Sequence, residues 1–197
     1  MRVISGRCKG KVLYSPKNNS IRPTSDKIKK FIFDYIGNTI EDTVILDIFS
    51  GTGNLSIEAL SRGAQFAVLV DNSKDAIQLI YRNLKLTKLL SQSQIIKQDA
   101  LRYLKKAVQQ EKKFNFIFAD PPYFIKNFQN IMEYIGSNNI LENGGFFILE
   151  HSSQTKVNAH HSILLSLEKT TSFGDTAITF YRKKESKFAH RNISRNI

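Results

Sequence analysis

Apolar and polar positions change period in blocks along the chain. Short apolar runs stand at TVILDIF (43–49), FAVLVD (66–71), QIIKQD (94–99), FNFIFAD (114–120) and GGFFILEH (144–151). Near-continuous runs of this length read as strands buried on both faces. Helical spacing appears first over 25–37, where Ile28, Phe31, Ile32, Tyr35 and Ile36 fall at i, i+3, i+4, i+7 and i+8. Thr24, Ser25 or Asp26 can cap its start, and Gly37 its end. Further helices are expected around 54–63, 73–89 and 100–110. Another carries Phe124, Phe128, Ile131 and Ile135 on one stripe. Two last strands, about 161–172 and 176–182, join through Phe173-Gly174-Asp175. So short a link forces antiparallel pairing. The order predicts a Rossmann-like α/β fold, a mostly parallel sheet ending in an antiparallel hairpin with helices on both faces.

Composition narrows the class. A chain of 197 residues with 41% hydrophobic and 23% charged residues suits one globular domain. The single cysteine, Cys8, excludes an internal disulfide and a multi-cysteine metal site. Four scattered histidines give no zinc spacing, so no metal is expected. No apolar stretch is long enough for a membrane span, and the N-terminus lacks a secretory h-region. The cytoplasm is the default compartment. The formal charge is +12. Residues 1–30 hold nine bases and one acid, and residues 182–197 six bases and one acid. The remaining middle has 14 bases and 15 acids, so the excess sits at the ends. This reads as one domain, 1–182, with a basic N-terminal extension (1–40) and a basic, unstructured tail (183–197). Arg2, Arg7, Lys9, Lys11, Lys17 and Arg22 are candidates for phosphate contacts, giving affinity without base specificity. Each could equally be an exposed solubilising charge.

Four of the expected strands end in acids: Asp47, Asp71, Asp99 and Asp120. Ligands of such sheets bind outside the carboxyl ends of the strands. After Asp47 comes Ser50-Gly51-Thr52-Gly53, whose glycines allow close backbone approach. The third glycine of a dinucleotide fingerprint is replaced by Ser56. A carboxylate at the lip of a pyrophosphate cradle is repelled, so Asp47 disfavours a nicotinamide dinucleotide. S-adenosylmethionine has no phosphate and carries an ammonium and a sulfonium, which a carboxylate favours. Asp71 suits ribose hydroxyls, and Asp99 with Ala100 could meet an adenine edge. Any of these acids could instead cap the helix that follows it.

FADPPY raises the last question. Two prolines end a strand. On its own Asp120-Pro121-Pro122-Tyr123 is a turn or a pocket for a nucleic-acid base. In the pocket reading the Asp120 carboxylate and Pro121 carbonyl accept both N–H groups of an exocyclic amine, and Tyr123 stacks on the ring.

Several pieces carry a family resemblance. They are Ser5-Gly6-Arg7 with Lys9-Gly10, Arg22-Pro23-Thr24-Ser25-Asp26, Asp47-x-Phe49-x-Gly51-x-Gly53 and Ile57 to Ala64. Asp99-Ala100-Leu101, Asp120 to Tyr123, Glu150-His151 and Gly174-Asp175-Thr176-Ala177 complete the set. Over about residues 1–182 the chain resembles the RsmD-type S-adenosylmethionine-dependent methyltransferases of small-subunit (16S) ribosomal RNA. The resemblance implies a seven-stranded methyltransferase fold and methylation of a guanine N2. It implies Asp47, Ser50, Gly51, Gly53, Asp71, Asp99 and Ala100 around the cofactor, with Thr24 closing over it and Asp120 to Tyr123 holding the base. It implies small-subunit rRNA in a ribosomal particle as partner, met by a monomer. Lys29-Lys30 departs from the family's Arg-Glu pair, and Asp71 replaces a Glu. A DNA amino-methyltransferase, or a non-catalytic RNA-binding module on this fold, are the alternatives. Intact DPPY opposes the second, and the lack of a large recognition insertion opposes the first.

Overall fold

The computed structural model describes residues 1–15, 25–121, 128–155, 157 and 163–184. Seven strands form one sheet: β1 (Val44–Ile48), β2 (Phe66–Asp71), β3 (Ser93–Lys97), β4 (Phe114–Ala119), β5 (Leu141–Ser152), β6 (Leu165–Phe173) and β7 (Thr176–Lys183). Their spatial order is β3-β2-β1-β4-β5-β7-β6. The first five pair in parallel, and β7 pairs antiparallel with both β5 and β6. The α/β sheet with a terminal hairpin is therefore as expected.

Helices cover both faces. α1 (Asp26–Ile36), α2 (Asn54–Ser61) and α3 (Lys74–Thr87) pack on one face, burying Ile32, Phe33, Ile57, Ile80 and Leu84. α4 (Ala100–Gln109) and α5 (Phe128–Ser137) cover the other through Tyr103, Leu104, Ile131 and Ile135. Of the three cap candidates for α1, Ser25 does the work: its Oγ accepts the Ile28 N–H at 3.2 Å.

β5 starts at Leu141, three residues before the expected start. Gly144 and Gly145 look like a strand boundary in sequence but form an irregularity inside the strand. The pairing with β4 shifts there, between Phe114 and Phe116. A Cβ on Gly145 would lie 2.7 Å from the Asn115 carbonyl oxygen, so only glycine fits. At the other end β7 extends past the expected domain limit at 182. Lys183 is buried, its ammonium bonded to Asn139 and, at 2.6 Å, to the Leu141 carbonyl.

The N-terminal segment is folded into the domain. Arg2 and Val12 bridge antiparallel, and Val3, Cys8 and Leu13 enter the core. This hairpin lies over α2, all eight residues of which are buried. Glu58 sits at the centre of the junction. Its carboxylate accepts the N–H groups of Ile4 (2.8 Å) and Ser5 (3.0 Å) and pairs with Arg62 (2.8 Å). The fully buried Lys29 ammonium is 3.5 Å away, bonded also to Asn54 and the Arg2 carbonyl. Burial lowers the Lys29 pKa, and the Glu58 charge opposes that shift.

Candidate active site

The strand order reverses between β1 and β4, so the crevice of an open α/β sheet opens there. The register sets the glycine loop and the proline break side by side. Ile48, the last residue of β1, pairs with Val70 on one side and Ala119 on the other. Asp120 follows Ala119, and Glu150 follows Leu149, the β5 partner of Ala119. Asp47, the loop, Asp71, Asp120, Pro121 and Glu150 thus gather at the carboxyl ends of four adjacent strands.

The loop turns through three left-handed residues: Phe49 (φ 67°), Gly51 (φ 55°) and Gly53 (φ 75°). For Phe49 that conformation is strained, by about 1–2 kcal/mol. Gly53 has a further reason, since a Cβ there would sit 3.1 Å from Leu69 Cδ2. One amide of the loop and one of the turn before α3 serve an acid. The Gly51 N–H donates to Asp71 Oδ2 at 2.9 Å, and the Ser73 N–H donates to Asp71 Oδ1 at 2.9 Å. In a phosphate cradle those amides would point at the ligand. The Ser50 hydroxyl closes the loop on the Asp47 carbonyl at 2.6 Å.

Asp47 itself is buried, and the Ser56 hydroxyl donates to its Oδ2 at 2.6 Å. Burial pushes its pKa up to about 7; the Ser56 bond opposes that and the nearby Asp71 charge adds to it. Two carboxylates at the ends of neighbouring strands, one poorly solvated, suit a cationic ligand. This arrangement fits the amino-acid end and ribose of S-adenosylmethionine and does not fit a pyrophosphate.

Asp99 is exposed and caps α4, accepting the Arg102 N–H at 2.9 Å, with Ala100 buried beside it. Asp99 therefore acts as the N-cap of α4. Asp120 is half-buried and Pro121 buried. His151 is part of the core. A carbonyl can only accept, so its Nδ1–H donates to Ser152 O (2.8 Å) and Nε2 accepts from the Thr179 hydroxyl (2.8 Å). Thr170 then donates to Thr179 at 3.0 Å, and burial lowers the histidine's pKa. This pairing also lays His151 opposite Ala177 of the GDTA stretch.

Arg2, Arg7, Lys9 and Lys11 share the N-terminal hairpin. Arg2 lies 3.6 Å from Asp26, Arg7 bonds Gln92, and Lys11 reaches the Leu86 carbonyl at 3.3 Å. Lys17, Arg22, Thr24, Pro122 and Tyr123 fall outside the described residues. Among the described residues no cluster of His, Cys, Asp or Glu could hold a metal ion. Sequence reasoning did not find Ser56, which holds Asp47, or the Lys29–Glu58 pair. The available signal was a lone acid in the otherwise uncharged stretch NLSIEALS.

The profile of the family described as "Conserved hypothetical protein 95" matches residues 1–182. A Bacillus subtilis protein, "Putative rRNA methyltransferase YlbH", is 38% identical over 184 residues, covering 93% of this chain and all of that one. The chain belongs to this family, the RsmD-type methyltransferases. "Ribosomal RNA small subunit methyltransferase D" of Haemophilus influenzae is 29% identical, over 87% of this chain and 89% of its own. Among solved structures, "Putative methyltransferase yhhF from Escherichia coli" superposes with a TM-score of 0.81 at 25% identity, over 93% and 98% of the two chains. In this RsmD-type chain Lys29 is the buried partner of Glu58.

Proposed function

We propose that this chain is an S-adenosylmethionine-dependent methyltransferase acting on the N2 amine of a guanine in small-subunit ribosomal RNA, within a ribosomal particle. The observation that carries the cofactor part is the glycine loop whose Gly51 amide faces the Asp71 carboxylate at 2.9 Å. Asp47, Ser50, Gly51, Gly53 and Asp71 would hold the donor, with Asp99 and Ala100 at its adenine side. Thr24 would close over it. When bound, the donor supplies an electrophilic methyl group.

The acceptor side rests on Asp120 and Pro121, set beside the loop by the β1–β4 register. An exocyclic amine is a poor nucleophile because its lone pair is shared with the ring. The Asp120 carboxylate and the Pro121 carbonyl accept its two N–H bonds and turn the lone pair out of the ring plane. The rate comes mainly from positioning and electrostatics. The nitrogen becomes acidic only after it has gained the methyl, and Asp120 or water takes the proton. Tyr123 would supply the face on which the base lies.

The test is methyl transfer to small subunits, stripped rRNA and duplex DNA. Asp120→Ala should lower kcat by at least a hundredfold while S-adenosylhomocysteine binds as to the parent. Near-parental turnover would remove Asp120 from the chemistry. Mass spectrometry of rRNA from a deletion strain should show loss of one N2-methylguanine; loss of any other modified base would overturn the assignment.

A further inference from the structure

The hairpin and the outer side of α3 form one continuous surface. The Arg82 guanidinium lies over the Tyr14 ring at 4.1 Å. Asn83 bonds both the Tyr14 N–H (2.7 Å) and the Tyr14 carbonyl (3.1 Å), and also the Thr52 carbonyl of the glycine loop (3.0 Å). Further along, Lys11 meets the Leu86 carbonyl and Cys8 meets the Thr87 carbonyl at 3.4 Å. Residues 1–15 and 76–92 contain no acid. The cations they present include Arg7, Lys9, Arg82, Lys85 and Lys88, all exposed. Apolar side chains stand among them, with Val12 71%, Tyr81 49%, Tyr14 44% and Leu86 38% exposed. A whole-chain tally of charge conceals this surface, because acids elsewhere in the middle cancel Arg82, Lys85 and Lys88.

We infer that this surface is a track for single-stranded RNA flanking the target nucleotide. It runs from the glycine loop at Tyr14 and Asn83 outward along α3 to Lys88. The positive charge along both segments suits a phosphate backbone. The exposed aromatic rings, one already stacked with an arginine, suit unpaired bases, which every sequence offers. A second copy of this chain would meet like charge, and an apolar protein partner would gain nothing from the cations. The inference rests on the RNA reading above and extends it to residues outside the catalytic machinery.

The experiment uses the full chain with Arg82→Glu, Lys85→Glu and Lys88→Glu combined, and a milder Gln set to guard against misfolding. All three side chains are exposed, so the melting temperature and S-adenosylhomocysteine affinity should hold in both sets. KM for small subunits and for stripped rRNA should rise at least tenfold, with kcat within about twofold. The slope of log affinity against log salt should shrink by about 2, for three lost contacts to single-stranded RNA. Unchanged KM and salt slope in an active protein would overturn the track. A KM rise confined to assembled subunits would overturn it too, by making a ribosomal protein the occupant. Should the parent chain methylate no RNA at all, the proposed function fails first, which parental activity measures separately.

Discussion

Asp47 is a buried carboxyl with one hydroxyl bond and a second carboxylate nearby. Its folded-state pKa, about 7, lies above its unfolded value. The folded state therefore favours the protonated form: this contribution is full below about pH 4 and is lost as pH rises through about 7. Asp47→Asn should flatten the melting temperature against pH between about pH 4 and 7 in the ligand-free protein. Scanning calorimetry checks this, and an unchanged slope would assign the pH dependence elsewhere. On the proposed contact between Asp47 and the ligand's ammonium, binding draws the proton off, so the parent's affinity for S-adenosylhomocysteine should rise through the same window. Calorimetry in two buffers of different ionisation enthalpy should show proton release. Gly6 makes a second case at this scale. Its φ is +76°, and a Cβ would lie 1.8 Å from the Ser61 carbonyl oxygen. Gly6→Ala should cost about 3 kcal/mol or more. Gly10→Ala, at φ +85° with open space around it, should cost only about 1–2 kcal/mol. Urea titration of the pair separates backbone strain from collision. The acids at the strand ends could be found in sequence because strands of this fold present ligands there. What each carboxylate touches could not, since Ser56 and Ser73 reach them through turns that only the folded chain defines.

At the scale of elements, the junction of the hairpin with α2 is a polar cluster inside an apolar layer. Such clusters are costly to break singly, because the remaining charge is stranded. Glu58 satisfies two backbone amides, Arg62 and Lys29 at once. Glu58→Ala should therefore destabilise by about 3–5 kcal/mol and expose residues 1–14 to protease. Lys29→Met should cost less, because Glu58 keeps Arg62 and both amides. Denaturant unfolding with proteolytic mapping checks the order, and the reverse order would contradict this account. The helices and parallel strands were legible from period and run length; β2 matches its expected span of 66–71. The hairpin was legible only as a basic arm. Its three core residues, Val3, Cys8 and Leu13, are too few and too irregularly spaced to signal an element. The start of β5 was misplaced for the opposite reason: its glycines signal a break, and the strand absorbs them as an irregularity.

Over the whole molecule, basic charge and the crevice are separable. The crevice belongs to the sheet, and the charge to what is laid on or appended to it. Residues 185–197 hold three bases and one acid. Removing them should reduce the salt slope of RNA binding by about 2 if all three bases meet phosphate. Removing Lys183 and Lys184 as well should lower the melting temperature, since Lys183 bonds Asn139 and Leu141. Filter binding across salt concentrations, paired with thermal melts, distinguishes the two truncations.

The position of β7 also has a consequence for the order of events in synthesis. The last strand in sequence among the described residues, β7, is not at the edge of the sheet; it lies between β5 and β6. β6 therefore has no place to dock until Thr176–Lys183 has left the ribosome. Until then β5 presents an open edge, the kind of surface that invites pairing with another chain. The outer half of the sheet is thus completed only when Thr176–Lys183 has inserted between β5 and β6.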